Sequence, residues 1–130
     1  MDELFIFKSA KLVQRLIHHL GCNVSIPLEF MTILYQDQNW IVRLKTKPMS
    51  QREEDDLDAY LLEIGDLCYL SGDLRQALLD LELGRSAVDA MHQYGIAVIS
   101  HGQPDATEVQ IFQREFVEKL NSQTYPELSV

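Results

Sequence analysis

The sequence predicts an α+β fold, with about four helices, including a central αα-hairpin, and a small sheet of about three strands. Three observations predict it. Apolar residues recur at helical spacing in several separate stretches. Trp40 to Lys47 alternates with period two beside a polar turn, and Ile96 to Ile99 is a short β-branched run between Gly95 and Gly102. A chain of 130 residues has room for one hydrophobic core, so residues 1–130 are read as a single domain.

From Asp2 to Leu20, Phe5, Leu12, Val13, Leu16, Ile17 and Leu20 keep helical spacing, with Asp2 as cap and Gly21 as stop. One helix is the preferred reading; the alternative is a short strand at Leu4–Phe7 before a shorter helix. Pro27 excludes a helix interior. Leu28 to Tyr35 is apolar, and the polar break Gln36–Asn39 joins it to Trp40–Lys47 as a β-hairpin. Trp40, Val42 and Leu44 then face the core, while Arg43, Lys45 and Lys47 face water. The alternative is a Trp40 exposed on the monomer and buried against a partner or a second copy of the chain, a homodimer.

Ser50 to Gly72 reads as the best helix, opened by the capping box Ser50/Glu53 and carrying Leu57, Tyr60, Leu61, Ile64, Leu67 and Cys68. Asp73 caps a second helix that runs to about His92, and the two pack as an antiparallel hairpin. Ile96–Ile99 reads as a buried strand. A last helix, capped by Asp105 or Thr107, carries Val109, Phe112, Phe116, Val117 and Leu120, and residues 121–130 read as a frayed tail.

Twenty Asp and Glu against eleven Lys and Arg leave a charge of −9. This works against direct nucleic-acid binding and against anionic membranes, and it favours a protein partner with a basic surface. No apolar run approaches the roughly 20 residues that span a bilayer. The acidic start Met1-Asp2-Glu3 lacks a signal pattern, so the cytoplasm is expected. Cys22 and Cys68 form neither a zinc nor a redox motif and read as buried, reduced thiols.

Leu61, Ile64, Gly65 and Cys68, then Gly72-Asp73-Leu74, Ala77, Leu81 and Gly84, carry a resemblance. Residues 58–91 resemble a single tetratricopeptide repeat, with Gly65, Ala77 and Gly84 where two helix backbones would approach closely. The pattern departs at Leu61, Cys68 and Leu81, where the family usually has aromatics, and at Asp89, where it has proline. The resemblance implies protein binding rather than catalysis.

The chemical motifs are sparse. Glu53, Glu54, Asp55, Asp56 and Asp58 form an acidic run at a helix start, where carboxylates complement the dipole; these are the candidate partner-binding residues. Glu53 with Asp56, and Glu63 with Asp66, resemble the paired acidic elements of all-α nucleotide pyrophosphohydrolases, which bind magnesium. Only six residues separate Asp56 from Glu63, so both pairs lie on one expected helix and would need a dimer or a refolded helix to converge. His18, His19, His92 and His101 have no metal-ligand spacing. Ser100-His101-Gly102 lacks a nucleophile elbow, and no phosphate-binding glycine loop is present. Arg43, Lys45 and Lys47 read as charges that guard a sheet edge.

The functional expectation is therefore a small acidic protein-interaction module, an adaptor, chaperone or inhibitor, with no cofactor and no catalysis. The alternative is a carboxylate-metal hydrolase using Glu53, Asp56, Glu63 and Asp66.

Overall fold

The computed structural model describes residues 1–23, 26–68 and 72–119. Its first element corrects the preferred reading. Asp2–Phe7 is a strand, β1, and the helix α1 begins only at Ala10 and runs to Cys22. Phe5 and Phe7 point to one face, Leu4 and Ile6 to the other, and helices cover both. A strand buried on both sides loses its alternation, so its run of apolar residues merges with the helix that follows. Ser9, not Asp2, caps α1, its hydroxyl accepting from Leu12 N–H at 3.4 Å.

The hairpin forms as expected. Strands β2 (Leu28–Gln36) and β3 (Asn39–Thr46) pair antiparallel through a two-residue turn, Asp37 and Gln38, both at positive φ. Trp40, Val42 and Leu44 are buried. Yet β3 is a central strand, not an edge. It pairs with β1 from Asp2↔Lys45 to Phe7↔Trp40, so Arg43 and Lys45 do not guard an edge.

Helix α2 spans Gln51–Ile64 with Ser50 at its cap, shorter than expected. Gly65 ends it for a steric reason: a Cβ there would lie 2.7 Å from the Phe7 ring and 2.9 Å from the Ile6 carbonyl oxygen. The next two residues form strand β4 (Asp66–Leu67), which pairs with Ile6 and Phe5 of β1. The chain thereby crosses the sheet edge. Leu57, Leu61 and Ile64 of α2 pack with Phe5, Phe7 and Trp40; Leu74, Ala77, Leu78 and Leu81 of α3 (Gly72–Glu82) pack with Leu34 and Ile41 on the opposite face.

The central αα-hairpin is therefore absent. Gly65 meets β1, and Ala77 meets the sheet, so the expected contact between these two residues is not made. The second expected helix is also two. Gly84 at φ +94° breaks it, and α4 (Ala87–Tyr94) starts afresh from Ser86, whose hydroxyl accepts from Asp89 N–H at 3.1 Å.

Strand β5 (Ala97–Gly102) pairs with β2 at the sheet border, with an irregular register between Ile33 and Leu34. Asp105 caps α5 (Ala106–Phe112), which continues as a wider helical turn through residues 113–117 and returns to the first face through Val109. Among the described residues the molecule has five helices and one five-stranded antiparallel sheet, ordered β4-β1-β3-β2-β5. This corrects the expected four helices and three strands. Helices α1, α2 and α5 cover one face, and α3 and α4 cover the other. The tail expected at residues 121–130 lies outside the described residues. Among those described, no helix is long and apolar enough to cross a membrane.

Candidate interaction surface

Helix α2 presents its acidic run because its cap fixes where the helix starts. Ser50 Oγ accepts from Glu53 N–H at 3.2 Å and its hydroxyl donates to Glu53 Oε1 at 2.9 Å, so the two residues cap the helix start together. Glu53 is thus a structural group. Asp55 and Asp56 are exposed, and Asp55 accepts from the Gln51 side chain at 2.9 Å. Glu54 lies 3.8 Å from the Met1 amino group. Asp58 turns inward toward β1, where its Oδ1 is shut off from water.

What faces Asp58 is Glu3. Burial, then the hydrogen bond and charge of Asp58, and then the charge of Glu54 push the Glu3 carboxyl up to about 7, with the Met1 amino group opposing. Protonated Glu3 donates to Asp58; ionised Glu3 leaves carboxylates crowded where β1 meets α2.

On the other side of β1, the cations are already committed. Arg43 donates to Asp2 Oδ2 at 2.7 Å and to Glu82 Oε2 at 2.9 Å, and Lys45 donates to Glu82 Oε1 at 2.9 Å. Hydrogen bonds from Lys45 and Arg43 hold Glu82 below the usual carboxylate range, and Arg43 does the same for Asp2. Arg43 and Lys45 also lie over the Phe30 ring, at 5.2 and 5.6 Å from its centroid. These two residues are therefore not a free basic patch for a phosphate; Lys47 is exposed.

Between β1 and α3 runs a groove of about 390 Å³, lined by Asp2, Glu3, Leu4 and Arg43 on the sheet side and by Arg75, Leu78, Leu79 and Glu82 on α3. Leu79 is 45% exposed, and Leu83, one turn on, is 76% exposed. The sequence reading missed Glu3, Leu79 and this groove. Glu3 falls within the stretch from Asp2 to Leu20 that keeps helical spacing, and Leu79 carries no signal of its own in the sequence. A strand at Leu4–Phe7 was the signal that would have placed Glu3 beside α2.

The two acidic pairs of the metal reading lie apart in the fold. Glu53 and Asp56 border a small cavity with His19 and Asn23, whereas Glu63 and Asp66 border another with Lys8. The two pairs stand at opposite ends of α2, and Asp66 lies on β4, beyond the helix. Among the described residues no group of three or more His, Cys, Asp or Glu could hold a metal ion. Within one chain Glu53 and Asp56 are not brought together with Glu63 and Asp66.

The nucleophile candidates separate as well. Ser100 is buried and His101 is exposed, as strand neighbours on opposite faces must be. His101 shares a 2.6 Å hydrogen bond with Thr32, and burial followed by the charge of Arg43 lowers its pKa, so its neutral form is favoured. His19 stacks on Tyr60 with centroids 3.9 Å apart. Cys22 is exposed, against the expectation of burial, and lies 3.5 Å from His18 Nε2; no disulfide joins it to the half-buried Cys68.

Neither a protein-family model nor a curated protein sequence matches the chain. Solved structures do share its fold. The C-terminal domain of MecA superposes with a TM-score of 0.52 at 12% identity, over 89% of this chain and 98% of that domain. The C-terminal domain of YpbH gives 0.50 at 16% identity, over 88% and 97%. At such identities the likeness speaks for the fold alone.

Proposed function

We propose that the protein is an adaptor-type interaction module that recognises a basic protein surface and performs no catalysis. The observation that carries this reading is the crowding of Glu3, Glu54 and Asp58, with Asp55 and Asp56 exposed beside them. An isolated acidic helix start is common and says little. Here burial, then the hydrogen bond and charge of Asp58, and then the charge of Glu54 raise Glu3 to about 7, and a partner's cations would favour its ionised form. The shared fold supports a modular role, since in MecA and YpbH it is the C-terminal part of a longer protein. The exposed Cys22 thiol suits a reducing compartment, and the cytoplasm is the location this reading assigns.

The test is affinity capture from the native host, comparing the wild type with the combined variant Glu54→Gln, Asp55→Asn, Asp56→Asn. Glu53 is kept because it closes the helix cap. A basic protein retained by the wild type, and shed by the variant or by added salt, is the expected result. Capture that ignores both changes would contradict an acidic recognition surface.

A further inference from the structure

The sheet ends differently on its two sides. At one border stands β4, two residues long, pairing only with Phe5 and Ile6 of β1. At the other stands β5, whose six residues pair with β2 and, among the described residues, with no strand on the outer side. Every second residue of a border strand turns its N–H and C=O away from the sheet. Folded proteins usually shield such a row with charged side chains, proline, a bulge or a very short strand. In Ala97–Gly102 there is no proline and no Lys, Arg, Asp or Glu. The one device present is the irregular register at Ile99, the residue left over between the pairs Ile33↔Ser100 and Leu34↔Val98.

This row also borders a cleft. A cavity of about 380 Å³ is lined by β5 from Val98 to His101, by Leu81 and Ala87 on the α3 and α4 side, by Glu108 of α5 on the other, and by Gln103. Arg85 lines it too, but is held by Asp80 at 2.8 Å. Val98 packs with the core beneath α3 and α4, and Ile99 with the core on the opposite face. The two walls differ: Leu81, Ala87 and Val98 are apolar, whereas Gln103 and Glu108 are exposed polar groups.

These features select the occupant. What the edge offers is backbone hydrogen bonding, which an extended chain matches residue for residue. A chain lying there sends alternate side chains to the two walls, so it carries apolar β-branched residues at every second position and polar ones between. A second copy suits the cleft poorly. Its own β5 would bring α4 and α5 along, and two chains of charge −9 repel.

We propose that the outer edge of β5 is a docking site for an extended segment of a protein partner, which adds to the sheet as a sixth strand, its apolar side chains on Leu81, Ala87 and Val98 and its polar ones toward Gln103 and Glu108. This surface is separate from the acidic one, since β3 and β2 stand between β1 and β5.

The probe is a synthetic peptide of alternating valine and threonine with serine at both ends. Two controls keep every side chain but are N-methylated, one on the valine and one on the threonine backbone nitrogens. Added to the whole chain labelled with ¹⁵N, the parent peptide is expected to shift amides at residues 97–102. It should also slow hydrogen exchange at the outward amides there, which exchange fast in the free protein. The control methylated on the side facing β5 should bind roughly tenfold weaker or worse, having lost its strand donors. Equal binding by all three peptides, or shifts that leave 97–102 untouched, would overturn the site. Outward amides already slow to exchange in the free monomer would overturn it too, by showing the edge covered within the chain. Slowing that grows with protein concentration alone would give the edge to a second copy instead. The Glu54→Gln, Asp55→Asn, Asp56→Asn variant should bind the peptide as the wild type does. A peptide lost with those carboxylates would belong to the acidic surface and contradict the β5 site.

Discussion

At Glu3 the sign of a pH effect follows from geometry. Its carboxyl is raised to about 7 in the fold against about 4.5 in a free chain, with Asp58 and Glu54 of α2 and the Met1 amino group as the charges facing it. The native state therefore holds a proton that the unfolded chain has lost, and stability falls as pH rises from about 4.5 through 7. Asp2, Glu82 and Asp80 are held low by their cationic and hydrogen-bonding partners, so their contribution disappears only toward acid pH. Thermal melts should show a lower Tm at pH 8 than at pH 5.5, and Glu3→Gln should flatten that decline. A wild-type Tm that rises across this window would contradict the crowded-carboxylate account. A second residue-scale test is Gly65→Ala, whose Cβ would meet the Phe7 ring at 2.7 Å and the Ile6 carbonyl oxygen at 2.9 Å. Backbone cannot move aside as a side-chain tip can, so chemical denaturation should show a loss of about 1–3 kcal/mol.

At the scale of elements, what was legible depended on whether a local signal marks the element, since helices cover both faces of the sheet. The β2–β3 hairpin has a polar turn at Gln36–Asn39 and clean alternation from Trp40, and it was read correctly. The start of α2 was legible because a capping box is a local device, needing only Ser50 and Glu53. Strand β1 was not, because helices bury both of its faces and erase period two. The break between α3 and α4 was passed over as well, although Gly84 and the Ser86–Asp89 cap announce it. Gly84→Ala should cost about 1–3 kcal/mol, since φ +94° strains any side chain, and differential denaturation of the variant measures it. Ala77→Leu should cost a similar 1–3 kcal/mol because Ala77 is fully buried, with the sheet rather than α2 as what it strikes.

For the whole molecule, the decisive event is the crossing at Gly65–Leu67, which puts α2 and α3 on opposite faces of one sheet. Helical periodicity records which side of a helix is apolar but not which surface it meets, so two amphipathic helices joined by glycine looked like a hairpin. The same crossing makes the candidate site, because it sets Asp58 and Glu54 of α2 against Glu3 of β1. Neither Glu3 nor Leu79 carries a motif; only their placement gives them meaning. Trp40, 2% exposed, should emit at short wavelength at every protein concentration, and a blue shift on concentrating the sample would move it to a dimer interface instead.

The central claim is that this surface recognises a basic partner by charge, and association kinetics with the captured partner test it most directly. Steering by exposed carboxylates acts on the association rate and is screened over about 8 Å at physiological salt. The account predicts that the association rate constant falls steeply with added salt, and that the Glu54→Gln, Asp55→Asn, Asp56→Asn variant starts slower and falls less. An association rate indifferent to salt and identical in the two proteins would contradict it.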